Sequence, residues 1–153
     1  YDNGSFSAIF TVPSSVAGDH VVSATDGISI ANAVFTLESE TPLIPVPLLP
    51  EVAATAKKTA HFDWEDVTDP SGVTYVLQIA SDDGFGSVIL EKNNLADSEY
   101  TLTEEEKLGS TENKASYYWR VRAIDGAFNG SEWTTPRSCY VGFSWFSMPA
   151  WST

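Results

Sequence analysis

The segment Tyr117 to Ala123, YYWRVRA, alternates: Tyr117, Trp119, Val121 and Ala123 fall on one face, Arg120 and Arg122 on the other. A strand repeats every two residues, so this pattern predicts a strand with one face on a core and one toward water. Its aromatic and β-branched residues suit a half-buried pleat. Asp125-Gly126 and Asn129-Gly130 follow, pairs that tolerate the positive φ of tight turns, and they predict a hairpin into Trp133 and beyond.

The same alphabet of strands and turns runs through the rest of the chain. Near the start, Asp2-Asn3-Gly4 reads as a hairpin turn, Phe6, Ala8 and Phe10 alternate with polar neighbours, and Pro13 ends the predicted strand. His20 to Thr25 and Ala31 to Leu37 are predicted strands flanking the Asp26-Gly27 turn. Three such strands are half of a sandwich, because one buried face needs a second sheet to cover it, and the missing strands are expected before Tyr1. Glu40 to Pro50, ETPLIPVPLLP, carries four prolines. Proline removes backbone donors and favours extended geometry, which predicts a semi-rigid connector running into an edge strand.

Strands resume at His61 to Trp64, Val73 to Ala80, Val88 to Glu91, Tyr100 to Leu102, the YYWRVRA segment and Arg137 to Phe143. With the Pro-rich opening strand they make a set of seven. Asp69-Pro70-Ser71-Gly72 and Asp82-Asp83-Gly84 supply turns, and turn signals every 8–12 residues or so are the signature of an all-β sandwich. Helical periodicity is confined to one turn at Thr103 to Leu108.

The segment from about Leu48 to Phe143 resembles a fibronectin type III domain, an Ig-like β-sandwich, through FDWEDVTDPSGVTYVLQIASDDGF and YYWRVRAIDGAFNGSEW. The wording is similar to the subtype found in prokaryotic surface and secreted proteins. The resemblance implies that Trp64 is the buried tryptophan of the second strand and that Tyr75, Leu77 and Ile79 face inward on the third. It also implies that Leu102 or Leu108 precedes the sixth strand, that Tyr117 forms a tyrosine corner, and that Cys139 and Val141 face inward on the last strand. The first forty or so residues resemble the closing strands of a bacterial or archaeal Ig-like repeat, through NGSFSAIFTVP, AGDHVVSATDG and AVFTL. The expected organisation is a partial Ig-like module at 1–39, a Pro-rich linker at 40–47, a fibronectin type III domain at 48–143 and an aromatic tail at 144–153.

Composition narrows the function. Hydrophobic residues at 42% and charged residues at 19% fit a packed domain, and the 153-residue length fits one domain plus part of another. A net charge of −13 with scattered cations argues against nucleic acid as a partner. The single cysteine, Cys139, leaves no intramolecular disulfide and no cysteine-based metal site. Neither a signal peptide nor a complete membrane span is visible, and the opening at Tyr1 reads as a cut through a larger protein. The tail SWFSMPAWST is uncharged and rich in aromatic residues. It is read as either a linker or the aromatic belt before a membrane anchor beyond Thr153.

Candidate chemistry is sparse. His20 and His61, the only imidazoles, sit in different modules, and no serine lies in a nucleophile motif. His61, Asp63 and Glu65 share one strand face and offer three ligand-type side chains, a pattern that an outward strand face also produces. Asp66, Asp69, Asp82 and Asp83 fit turn chemistry without calcium-loop spacing, and Glu104-Glu105-Glu106 reads as a solvated turn. Trp133 is a candidate sugar-stacking platform, with burial against the sandwich edge as the competing reading. Asn3 and Asn129 begin N-x-S glycosylation patterns.

No catalytic, cofactor-binding or metal-ligating residue is assigned, and no cofactor is expected. The resemblance implies a non-enzymatic extracellular module, a spacer or adhesion element of a cell-surface protein. Its partners would be neighbouring β modules of the same chain and an unidentified protein or glycan. The alternative is an accessory, carbohydrate-binding module of a secreted polysaccharide-active enzyme.

Overall fold

The structure is a computed structural model that describes residues 7–12, 18–38, 40–110 and 116–142. It is all-β, with no helix among the described residues. The chain divides into two compact units, Tyr1–Glu40 and Thr41–Thr153.

In the first unit β1 (Gly18–Thr25) and β2 (Ile30–Leu37) form an antiparallel hairpin in unbroken register from Gly18↔Leu37 to Thr25↔Ile30. Asp26 shapes the turn, its Oδ1 accepting the backbone N–H of Ile28 at 2.8 Å and of Ser29 at 2.6 Å, while Gly27 takes a φ of +91°. The His20 ring stacks on Phe35 at 5.5 Å on one face. Val21 and Val34, paired on the other, are exposed. Residues 7–12, expected as a third strand, are not in one. Alternation specifies which side chains share a face but supplies no neighbouring edge; no described strand pairs with these residues, and Ile9 and Phe10 remain exposed. The Asp2-Asn3-Gly4 turn and Pro13 lie outside the described residues.

The second unit is a β-sandwich. A three-stranded sheet in the order β3 (Pro47–Leu49), β5 (His61–Trp64), β8 (Glu99–Thr101) faces a five-stranded sheet. The larger sheet has the order β4 (Ala54–Ala56), β10 (Arg137–Val141), β9 (Tyr117–Asp125), β6 (Val73–Ala80), β7 (Val88–Leu95). The single opening strand expected from the sequence is therefore two strands in different sheets. Pro50 has no N–H to extend the ladder and Ala53 adopts a φ of 58°; between them the chain leaves β3, antiparallel to β5, and crosses to β4, parallel to β10. The helical turn expected at Thr103 to Leu108 is instead a bend, closed by the Glu106 N–H on the Thr103 carbonyl at 3.1 Å.

The inward faces interlock. Phe62 and Trp64 of β5 meet Tyr75, Leu77 and Ile79 of β6, Trp119, Val121 and Ala123 of β9, and Cys139 and Val141 of β10. Two edge-to-face aromatic pairs cross the sandwich, Phe62–Trp119 at 5.3 Å and Trp64–Tyr75 at 5.4 Å, the geometry the ring quadrupoles favour. Leu102 and Leu108 are both buried. The Tyr117 hydroxyl donates to the Gly109 carbonyl at 3.1 Å, so the residue forms the corner that the fibronectin resemblance implied. Burial among these side chains pushes the Cys139 thiol up to about 11.

Candidate functional site

Three groups of polar side chains in the second unit bear on function. The first joins two loops at one end of the sandwich. Asp125, buried at the end of β9, accepts the backbone N–H groups of Ala127 and Asn129 on Oδ1 at 2.8 and 2.7 Å, and the Asn129 amide on Oδ2 at 2.8 Å. Across from it Asp69 Oδ1 accepts both the N–H and the hydroxyl of Ser71, and Ser71 Oγ accepts the Gly126 N–H at 3.0 Å. Every carboxylate oxygen named here closes a turn or ties one loop to the other. The Asn129 amide that a glycan would occupy is part of this network, and Ser131 of the same pattern is buried, bonding the Ala123 N–H and the Glu132 carbonyl.

The second group centres on His61. The antiparallel register sets His61 opposite Thr101 and Asp63 opposite Glu99. His61 Nδ1 lies 2.8 Å from Thr101 Oγ1 and Nε2 lies 3.7 Å from Glu99 Oε2. A hydroxyl, an imidazole and a carboxylate thus stand in a row, but all three residues are exposed, where water screens the interactions that would activate a nucleophile. His61, Asp63 and Glu65 do not converge: among the described residues of this unit, no three His, Cys, Asp or Glu side chains bring ligand atoms within 4.8 Å of one another. Positions two apart on a strand are about 7 Å apart, too far to share one ion without help from another element. His61 and Thr101 also line a cavity of about 550 Å³ with Leu49, Pro50, Ala54 and Lys57.

The third group covers the outer face of the five-stranded sheet. Arg120 donates through Nε and Nη2 to Gln78 Oε1 at 2.9 and 2.7 Å, and Gln78 Nε2 donates to Glu91 Oε2 at 2.5 Å. This row follows the register Glu91↔Gln78↔Arg120 across β7, β6 and β9. The Arg120 guanidinium carbon lies 4.0 Å from the Phe85 ring centroid and 4.4 Å from that of Trp133, and Arg122 lies 4.7 Å from the same indole. Such cation–π contacts are worth about 0.5–2 kcal/mol each. Burial and then the neighbouring Arg122 lower the Arg120 pKa, while bonds from Asn93 and then Gln78 lower that of Glu91. A sugar stacking on Trp133 competes with two guanidiniums already packed there.

No protein-family model matches the chain, and no curated protein matches it. Among solved structures it is similar to an Fn3-like protein from Clostridium thermocellum, at 16% identity and a TM-score of 0.45, over 69% of this chain and 98% of that one. The β-sandwich architecture of the second unit rests on its strand order and its cross-sheet core.

The sequence indicated neither the Arg120–Trp133–Arg122 stack nor the partners of His61, since each is assembled from distant strands. The signal was present only as outward arginines two apart on a strand and a tryptophan just beyond its turn. The tail at 144–153, with the proposed membrane belt, and Asn3 lie outside the described residues. No helix among the described residues is long and apolar enough to cross a membrane.

Proposed function

We propose that this chain is a non-enzymatic spacer segment of a modular cell-surface protein, in which the sandwich transmits tension between its neighbours. The observation that carries this reading is the parallel pairing of β4 with β10, the first and last strands in chain order of the five-stranded sheet, through Ala54↔Cys139, Thr55↔Tyr140 and Ala56↔Val141. Once the load passes β3, pulling the chain from its two ends drags these strands past each other, so their hydrogen bonds resist together in shear rather than opening one by one. The Ala53 N–H donates to the Ser138 carbonyl at 2.8 Å; the Ala54 N–H turns back to the Glu51 carbonyl at 3.0 Å, and alternation within β4 therefore aims the Thr55 N–H toward β10. The Pro-rich stretch from Glu40 to Pro50 suits the same role, because it limits slack between modules.

Two measurements test this. In single-molecule pulling of the full chain, Thr55→Pro lowers the unfolding force of the sandwich; an unchanged force removes the mechanical role. In intact source cells, external protease removes this segment from the cell-bound fraction. Protection until lysis overturns the surface location.

A further inference from the structure

Among the described residues of the outer sheet face, the Arg122 guanidinium is without a hydrogen-bond acceptor. Arg120 is committed: Gln78 lies opposite it in register and takes two of its donors, and Phe85 and Trp133 pack on its guanidinium. Arg122 has the same indole beside it but a different row. Its register partner on β6 is Val76, which offers no acceptor. Arg122 Nε is shielded from solvent with no hydrogen-bond partner, and among the described residues its guanidinium makes no hydrogen bond or ion pair. Glu91, whose charge it feels, already holds Gln78 on one oxygen and Asn93 on the other. With Nε shielded, the two terminal nitrogens are the donors left to solvent, and their planar fork fits a carboxylate in two parallel bonds. Packing on Trp133 restricts the Arg122 side chain before anything binds, which reduces the ordering cost of capture.

We propose that Arg122, backed by Trp133, is a docking point for an Asp or Glu carboxylate presented by a partner polypeptide. Charge complementarity selects this occupant in two ways. Two adjacent guanidiniums repel each other, and an incoming carboxylate relieves that repulsion. The chain's net charge of −13 meanwhile repels polyanions, so the carboxylate sits among neutral or basic residues on its own chain. A glycan is disfavoured because the indole already carries two guanidiniums, at 4.4 and 4.7 Å from its ring centroid, with which a sugar would have to compete. The inference goes beyond the spacer reading and holds in any location.

The test is nuclear magnetic resonance of the full chain, following the side-chain N–H signals of Arg122 and Trp133. The probes are acetyl-Lys-Glu-Lys-amide, its Gln-centred counterpart, and oligogalacturonate. The Glu peptide moves both signals in a saturable way that weakens with salt, and the Gln peptide binds about tenfold more weakly, the loss of one charge-assisted fork. Arg122→Gln abolishes the Trp133 response to the Glu peptide. Arg122→Lys keeps the charge and the aliphatic stem, so it guards against misfolding; it also binds about tenfold more weakly because it lacks the fork. Equal responses to the Glu and Gln peptides, wild-type affinity in folded Arg122→Lys, or a response to oligogalacturonate alone would each overturn the proposal.

Discussion

Glu106→Gln is the perturbation whose consequence is best defined by the geometry. Glu106 follows β8 and joins the two sheets at the edge where β7 and β8 lie. One carboxylate oxygen pairs with Lys92 of β7, and the other accepts the Tyr100 hydroxyl at 2.8 Å and the Thr103 N–H at 3.1 Å. Lys92 also lies 5.3 Å from the Tyr100 ring centroid. Burial alone pushes the Glu106 carboxyl up, but the bonds from Lys92, Thr103 and Tyr100 outweigh it and hold the group at about 2, against an ordinary 4.5. The side chain is only 17% exposed, and Lys92 is 30% exposed. A carboxylate held that far below its unfolded value corresponds to at most about 3 kcal/mol, and solvent screening of the Lys92 partner leaves roughly 1–2 kcal/mol.

The sign follows from the depressed value. The stabilisation is fully present above about pH 4.5, where the unfolded chain also carries the charge, and it is lost as pH falls toward about 2. Glutamine keeps the shape and loses the charge. Urea unfolding followed by tryptophan fluorescence reports on the sandwich alone, because all five tryptophans lie in Thr41–Thr153. At pH 7 the variant midpoint falls by about 0.5–1 M if the denaturant slope is near 2 kcal/mol per M. The gap between wild type and variant then narrows below pH 4.5 and closes near pH 2. Asp82 and Glu91, both lowered by hydrogen bonds, are common to the two proteins and cancel in the difference. A gap that stays constant from pH 7 to pH 2 would refute the account, since it would trace the loss to packing rather than to charge.

Two other substitutions probe connections that hold the sandwich together. Tyr117→Phe removes only the hydroxyl that bonds the Gly109 carbonyl, so the urea midpoint should drop by the equivalent of about 0.5–1.5 kcal/mol with an unchanged slope. Gly126→Ala places a methyl carbon 2.1 Å from the Ser71 carbonyl oxygen, a backbone atom that cannot swing aside. It should cost on the order of 1–3 kcal/mol by the same assay, and Ser71→Gly in that background should give no relief, because the clash is with main chain.

Burial on β9 was legible in the sequence and its outer chemistry was not, for one physical reason. Period two decides which residues share a face, so Trp119, Val121 and Ala123 could be assigned to the core before any partner was known. What covers the other face depends on pairing across strands. Gln78 lies 42 residues from Arg120, and Trp133 arrives from beyond a turn, so arginines expected to face water are packed against rings. Glu106 was misread in the same way, as a solvated acid, because its partners Lys92 and Tyr100 come from two different sheets. For residues 7–12 the alternation was present but no described edge receives them. For His61, Asp63 and Glu65 the shared face was a fair reading, yet one strand cannot gather its own side chains around a point.

The difference between Arg120 and Arg122 reduces to the residue opposite each on β6, Gln78 in one row and Val76 in the next. That makes the open state of Arg122 a property that can be switched. Val76→Gln places an amide oxygen where the neighbouring row already shows Gln78 meeting its arginine at 2.7–2.9 Å. Val76 is buried, so the new amide costs free energy unless bonded, and Arg122 supplies the donors it needs. The expected outcome is a sandwich within about 1.5 kcal/mol of wild type, with the Arg122 signal displaced before any peptide is added and the affinity for the Glu peptide reduced about tenfold. Peptide affinity equal to wild type in a folded Val76→Gln protein would mean that the register partner does not decide which arginine is open.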